Sequence, residues 1–375
     1  MPTPSLRRRS LLAGAAATCA LPALAQPARG AAAPVAVAQI HDSSPEAQDV
    51  SKDFLTGARA AWMDINVRGG LGGRPVQHVA IEVDGSPAAV QQAWRALRGQ
   101  PSCVALSGTV GDAAASALTR VLREDDTSVA HAAPWLQNSS LDPDDRTFPI
   151  FSGRQEQITH ALKSLTLSGV QEVGAVFASA REAAAYRQDV DRAVAAQKLK
   201  LKAWTPTSGL AALGEHLGPG TPALLLFIGG TPELMEFTRG LERQSRQRYV
   251  IALADVNLQT VQQMGGGRTT SVIATQAVPL ATAALPIVRR YRQALARFFD
   301  EPPAALSLAG FIAAQYTFQV LNGIEGPVTR ATALAAFQRR QDLDLGGYRV
   351  SFRGERRSAG FVTQSMLTAD GRVIG

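Results

Sequence analysis

Between Val50 and Val83 the apolar period of the chain changes from helical to extended across a glycine-rich stop. Val50, Phe54, Ala58, Ala61, Trp62 and Ile65 recur at three- and four-residue steps, which puts one apolar face on a helix. Residues 66–70 end that helix, because glycine accepts the left-handed conformation of a C-terminal cap. Gly72-Gly73 turns the chain, residues 76–83 read as a strand, and Asp84-Gly85 closes it. The glycines of 69–73 are not a phosphate cradle, since such a loop follows a strand and opens a helix, and this one does the reverse.

The same alternation runs through the whole chain. Strands are expected at 35–40, 103–106 and 127–131, with helices at 88–97 and from Asp112 to Arg123. A second set follows, with helices at 157–167 and 182–196 and strands at 172–177 and 200–204. Residues 223–228 are continuously apolar, as in a strand buried on both faces. Gly229-Gly230-Thr231-Pro232-Glu233 opens a helix, strands follow at 249–253 and 271–275, and 287–295 and 309–321 are late helices. This order predicts an α/β chain with right-handed parallel crossovers and ligands beyond the carboxyl ends of the strands. With 375 residues, two domains are expected.

Hydrophobic content of 46% with 18% charge describes an ordinary globule, and the formal charge is +7. Residues 1–25 read as a signal peptide: Arg7-Arg8-Arg9, an apolar core from Leu11 to Leu24, and a small-x-small site at Ala23-Leu24-Ala25. Arg8-Arg9-Ser10-Leu11-Leu12 is similar to a twin-arginine signal, and general export is the other route. Cleavage there removes three arginines and leaves about +4, too mild a charge to argue for nucleic acid. Cys19 has no lipoprotein-like context. Cys103 is then the last cysteine, read as a buried thiol in a strand.

The segment Gly57 to Gly85 resembles the first helix–turn–strand of the type I periplasmic solute-binding proteins, the branched-chain amino acid (Leu/Ile/Val)-binding-like receptors of ABC importers. The matching residues are Ile65-Asn66, Gly69-Gly70-Leu71, Gly73-Arg74 and Asp84. The resemblance implies two doubly wound parallel-sheet lobes joined by a multi-strand hinge. Residues 34–149 with 280–342 then form the first lobe, and 150–279 with 343–375 the second. A crossing is implied at 146–151 and another at 342–346. It also implies a monomer in the periplasm, an ABC permease in the inner membrane as partner, and no cofactor.

A search for chemistry finds no convergent set. The histidines 41, 78, 131, 160 and 216 are dispersed, with no zinc-type spacing, and there is no nucleophile elbow or Walker loop. An enzyme is therefore not expected. The candidate ligand residues come from the strand-end loops. Ser43 and Ser44 follow the first strand, and Thr109, Gly111 and Asp112 precede a helix. In the family this helix start holds a ligand carboxylate, because unpaired N–H groups favour an anion. Here Asp112 is expected as the N-cap, occupying those groups and placing a negative charge beside them. Two like charges in contact cost roughly 1–4 kcal/mol, which argues against an α-amino acid held in the usual way.

His131 is read as a hydrogen-bonded structural residue at a strand end, with ligand contact as the other reading. Trp135 either stacks on a ligand or packs as core. From the second lobe the resemblance points to Phe151, Arg154, Arg181, Thr231 and Asp255, with either arginine able to pair bidentately with a carboxylate. The function implied is a receptor that closes on an amino acid-like compound, an aromatic acid, an amide or a cationic metabolite. A ligand sensor without transport shares the same fold.

Overall fold

Each stretch of alternation becomes one sheet in the computed structural model, which describes residues 35–166, 169–267, 269–358, 360–368 and 372–375. The expected signal peptide, with Arg7–Arg9 and Cys19, lies outside the described residues. The first sheet takes β1 (Val35–Asp42), β2 (Val76–Val83), β3 (Cys103–Ser107), β4 (Ala130–Ala132) and β5 (Thr147–Phe148), all parallel, in the order β2-β1-β3-β4-β5. Its crossovers are α1 (Gln48–Val67), α2 (Pro87–Arg98) and α3 (Asp112–Glu124).

The signature turn after α1 has a physical reason. Asn66 donates its side-chain amide to the Val76 carbonyl at 2.9 Å and accepts the Val76 N–H at 2.8 Å, so one side chain pins the helix end to the start of β2. The left-handed Gly70 returns its N–H to the Ile65 carbonyl, closing the helix.

The second sheet takes β6 (Glu172–Phe177), β7 (Lys200–Trp204), β8 (Leu224–Ile228), β9 (Tyr249–Ala252) and β10 (Ser271–Gln276). Around them lie α4 (Arg154–Thr166), α5 (Ala180–Ala196), α6 (Leu210–His216), α7 (Thr231–Leu241) and α8 (Leu258–Gln263). The short helices α6 and α8 carry too few turns to show a period in the sequence. The chain then returns to the first core with α9 (Pro286–Phe298), α10 (Ala305–Asn322) and α11 (Arg330–Gln338).

Helices α1 and α10 cross at backbone distance. A Cβ on Gly57 would stand 1.6 Å from the Ser307 carbonyl oxygen, and one on Gly310 1.8 Å from that of Phe54. Only glycine fits at either position. Phe54 and Trp62 of α1 are thereby sunk into the core that α10 covers.

The small antiparallel hairpin of β11 (Leu343–Asp344) and β12 (Arg349–Val350) stands apart from both large sheets. Leu345, Tyr348, Val350 and Phe352 pack in the first core, and the Tyr348 hydroxyl donates to the Ile150 carbonyl. Only β13 (Thr363–Leu367) and β14 (Val373–Ile374) join the second sheet, antiparallel, in the order β14-β13-β10-β9-β8-β6-β7. Among the described residues no helix is long and apolar enough to cross a membrane. Cys103 is buried, as expected of an inert strand thiol.

Candidate functional site

The carboxyl ends of β1 and β3 and those of β6, β8 and β9 feed loops that border one cleft of about 310 Å³. Of the residues expected at a site, Ser44, Gly111, Asp112, Trp135, Arg154, Arg181 and Asp255 line it. Five do not. Ser43 donates to the Val83 carbonyl at 3.2 Å, and the Thr231 hydroxyl accepts the Asn257 N–H at 3.0 Å. Thr109 and Phe151 are enclosed in the first lobe, Phe151 against Phe54 and Trp135. His131 is fully buried with neither ring nitrogen partnered, and burial pushes its pKa down to about 3, so it stays neutral. The expectation of a hydrogen-bonded His131 is corrected by this.

Asp112 also departs from expectation. Gly111, with φ of 92°, is the N-cap of α3, and no side chain caps that helix. Asp112 is one residue too late to cap, and its carboxylate is drawn off to the loop after Trp135. There one oxygen accepts the N–H groups of Gln137 at 2.7 Å and Asn138 at 2.9 Å. Its other oxygen accepts the hydroxyl of Tyr186, which stands on α5 across the cleft. The start of α3 is therefore not capped by Asp112, although the carboxylate still stands in the cleft lining beside it. The Ser116 hydroxyl, one turn further along α3, lines the cleft without a protein partner on a residue only 5% exposed.

Trp135 is core by its ring and polar by its edge. It is 1% exposed, 5.8 Å from Phe54 and 5.2 Å from Phe151 between ring centres. Its indole N–H crosses to the second lobe and donates to Asp255 at 2.8 Å. Asp255 in turn holds the Arg154 guanidinium at 2.9 Å. Arg154, 3% exposed, lies 3.6 Å over the Tyr186 ring and 3.7 Å from the Glu182 carboxylate. Burial by itself lowers the Arg154 pKa, and Tyr186, Asp255 and Glu182 more than reverse this. The guanidinium is thus a fixed cation in an acidic and aromatic seat.

Among the side-chain bonds that join residues carried by the two different sheets, Tyr186 to Asp112 and Trp135 to Asp255 lie in the cleft. Another lies outside the cleft lining, where Asn257 donates to Asp53 of α1 at 2.6 Å. Among the lining residues that sequence reasoning missed are Glu182, Tyr186, Glu46 and Ser116. Glu182 and Tyr186 are four apart on α5, hence on one face, and that spacing was the available signal. Burial pushes the Glu182 pKa up against the pull of Arg154. Among the described residues no group of three or more His, Cys, Asp or Glu is disposed to hold a metal.

A family model described as periplasmic binding protein matches residues 34–370. No curated protein matches the sequence. Solved structures that share the fold include the following three. An extracellular ligand-binding receptor from Verminephrobacter eiseniae is 18% identical, with a TM-score of 0.83 over 92% of this chain and 100% of that one. A substrate-binding periplasmic protein from Ralstonia solanacearum is 21% identical, with a TM-score of 0.80 over 91% and 99%. A branched-chain amino acid transporter substrate-binding protein from Streptococcus pneumoniae, in complex with isoleucine, is 15% identical, with a TM-score of 0.72 over 92% and 98%.

Proposed function

The chain belongs to the periplasmic binding protein family, with the type I fold, and from that premise we propose an extracytoplasmic solute receptor of an ABC importer. Its two lobes close on a small metabolite, and the closed monomer is what the inner-membrane permease recognises. The observation that carries this reading is the polar cleft at the carboxyl ends of two sheets, bridged by Tyr186 to Asp112 and by Trp135 to Asp255. A ligand that touches both walls binds the closed form better than the open one, and that difference alone moves the population. Ser116 and the uncapped start of α3 offer donors to an acceptor oxygen of the ligand. No bond is made or broken in this role.

The test is a thermal-shift screen of the full-length protein with amino acids, aromatic acids, amides and amines, followed by small-angle scattering on each hit. A rise in melting temperature accompanied by a smaller radius of gyration is expected for at least one compound. Turnover of a hit, or stabilisation without contraction, would overturn the reading.

A further inference from the structure

One contact between the lobes lies outside the cleft lining and joins two fixed side chains. Asp53 stands on α1, one residue before Phe54 of the first core. Asn257 is the N-cap of α8, between Val256 and Leu258 of a second-lobe core. The side-chain oxygen of Asn257 accepts the N–H groups of Gln259 at 3.0 Å and Thr260 at 3.4 Å, and its backbone N–H donates to Thr231. Its amide nitrogen is thereby turned to Asp53, to which it donates at 2.6 Å. A carboxylate and a carboxylic acid can both accept that hydrogen, so the bond survives protonation of Asp53.

The surroundings of Asp53 favour the neutral acid. Burial pushes its carboxyl up to about 6; Asn257 and Lys52 oppose this, and Glu301 and Asp49 add to it. Asp49 and Lys52 neighbour it on α1, and Glu301 faces it from the segment before α10. The Tyr291 hydroxyl of α9 is uncharged, because burial pushes its own pKa up to about 12. From the second lobe Asp53 meets the neutral Asn257, since Asp255, two residues earlier, is taken up by Arg154 and Trp135. Glu233, at the start of α7, faces Glu46 and Asp49 of the first lobe, and burial pushes it up as well.

Swinging the lobes apart breaks the bond and returns Asp53 to water, where its carboxyl titrates near the ordinary 3.8. The closed form, with the raised value, therefore gains from a proton. That gain is full below pH 4 and is lost as pH rises through 6. Between pH 5 and pH 7.5 the two values set a change of about tenfold in the ratio of closed to open forms. Resting on the two-lobe receptor reading, we propose that Asp53 and Asn257 form a proton-dependent latch, in which closing takes up a proton at Asp53. A ligand that binds the closed form is then held more tightly in acid, because more of the receptor is competent to bind it.

Indole N–H exchange, read by NMR on the full-length protein without ligand, tests this. The Trp135 N–H is bonded to Asp255 across the cleft at 2.8 Å, so its protection factor reads lobe opening. The Trp94 N–H is bonded to Asp125 within the first lobe at 2.9 Å and reads the unfolding of that lobe. Trp135 is expected to be less protected than Trp94, and its protection to rise about tenfold from pH 7.5 to pH 5. In Asp53→Asn, which cannot ionise, the rise should shrink to less than about threefold, with Glu233 supplying the rest. Asn257→Asp keeps the cap of α8 and sets a second carboxylate against Asp53, so it should lower Trp135 protection about tenfold at pH 7.5. A flat Trp135 profile, or the full rise persisting in Asp53→Asn, would overturn the latch and leave the receptor intact. Equal protection of the two indoles at each pH would count against lobe opening, and with it the receptor reading.

Discussion

On the first-lobe wall of the cleft small residues, Gly85, Gly111, Ala113, Ser116 and Ala117, stand among Asp42, Glu46, Asp112, Arg120 and Trp135. The facing wall is charged and aromatic, with Arg154, Arg181, Glu182, Tyr186 and Asp255 projecting from helix starts and a strand-end loop. The small residues of the first wall mark where the backbone runs, whereas the charged and aromatic residues, which dominate the second, are set by which side chains stand there. Backbone demands leave a mark on the sequence, because few residues meet them. Side-chain choices on a helix start are open, so a second wall can be rewritten for a new ligand while the fold is kept.

The largest expected effect breaks the first wall at its foundation. Gly310→Leu would drive a side chain into the Phe54 carbonyl, already within 1.8 Å of a bare Cβ position. Neither backbone has room to yield. A loss of more than about 3 kcal/mol is expected, read as the shift of the denaturant midpoint at constant slope. A change under 1 kcal/mol would show that α1 and α10 slide apart freely.

Next comes the second wall. Arg154→Met removes a cation 3% exposed and leaves Asp255 held by Trp135 alone. Breaking a buried pair from one side strands the other charge, and about 3 kcal/mol is expected from the denaturant midpoint. The same variant at 1 M salt separates the causes: a stranded buried charge is screened weakly, a surface pair strongly. An effect that vanishes in salt would mean that the network is wet.

Asp112 shows how far the sequence could be read. Its position at the cleft is legible, since a glycine-rich loop opening a helix beyond a strand has one place in this fold. Its role is not, because its partners Gln137, Asn138 and Tyr186 are 25, 26 and 74 residues away. A cap is a local bond and was the local reading. Asn66 is the opposite case: its partner Val76 is ten residues on, within the same turn, and its motif reads directly. Arg181 was legible as a charge at a helix start, whereas Glu182 and Tyr186 needed the orientation of α5 to the first lobe, which no local pattern carries. Trp135 needed both lobes, as its ring belongs to one and its N–H reaches into the other.

Serine decides between cap and bridge at that position. It is among the best capping residues, but it is too short to span from the loop at Gln137 to Tyr186. Asp112→Ser is therefore expected to lose about 2 kcal/mol, the scale of hydrogen bonds to a charged group. Tyr186→Phe in the same background should then cost almost nothing further, because the shared bond is already gone. Additive losses in this double-mutant cycle would mean that the two side chains do not meet across the cleft.

The smallest effect concerns the bond from Asn257 to Asp53, outside the cleft lining. Burial pushes the Asp53 carboxyl up to about 6 from its ordinary 3.8, with Glu301 and Asp49 adding to this and Asn257 and Lys52 opposing it. Between those values the folded chain holds a proton that the unfolded chain has released. Stability is therefore fully present below pH 4 and is lost as pH rises through 6. A shift of about two units sets a ceiling of about 3 kcal/mol, and partial access to solvent reduces this to about 1 kcal/mol. Asp53→Asn keeps an acceptor for Asn257 and cannot ionise, so it should match the parent at pH 4 and exceed it by that amount at pH 7. Chemical denaturation at the two pH values reads this directly. Equal stabilities at pH 7 would mean that the Asn257 bond fully supports the charged carboxylate, making this contact between the lobes as well satisfied as the inner one.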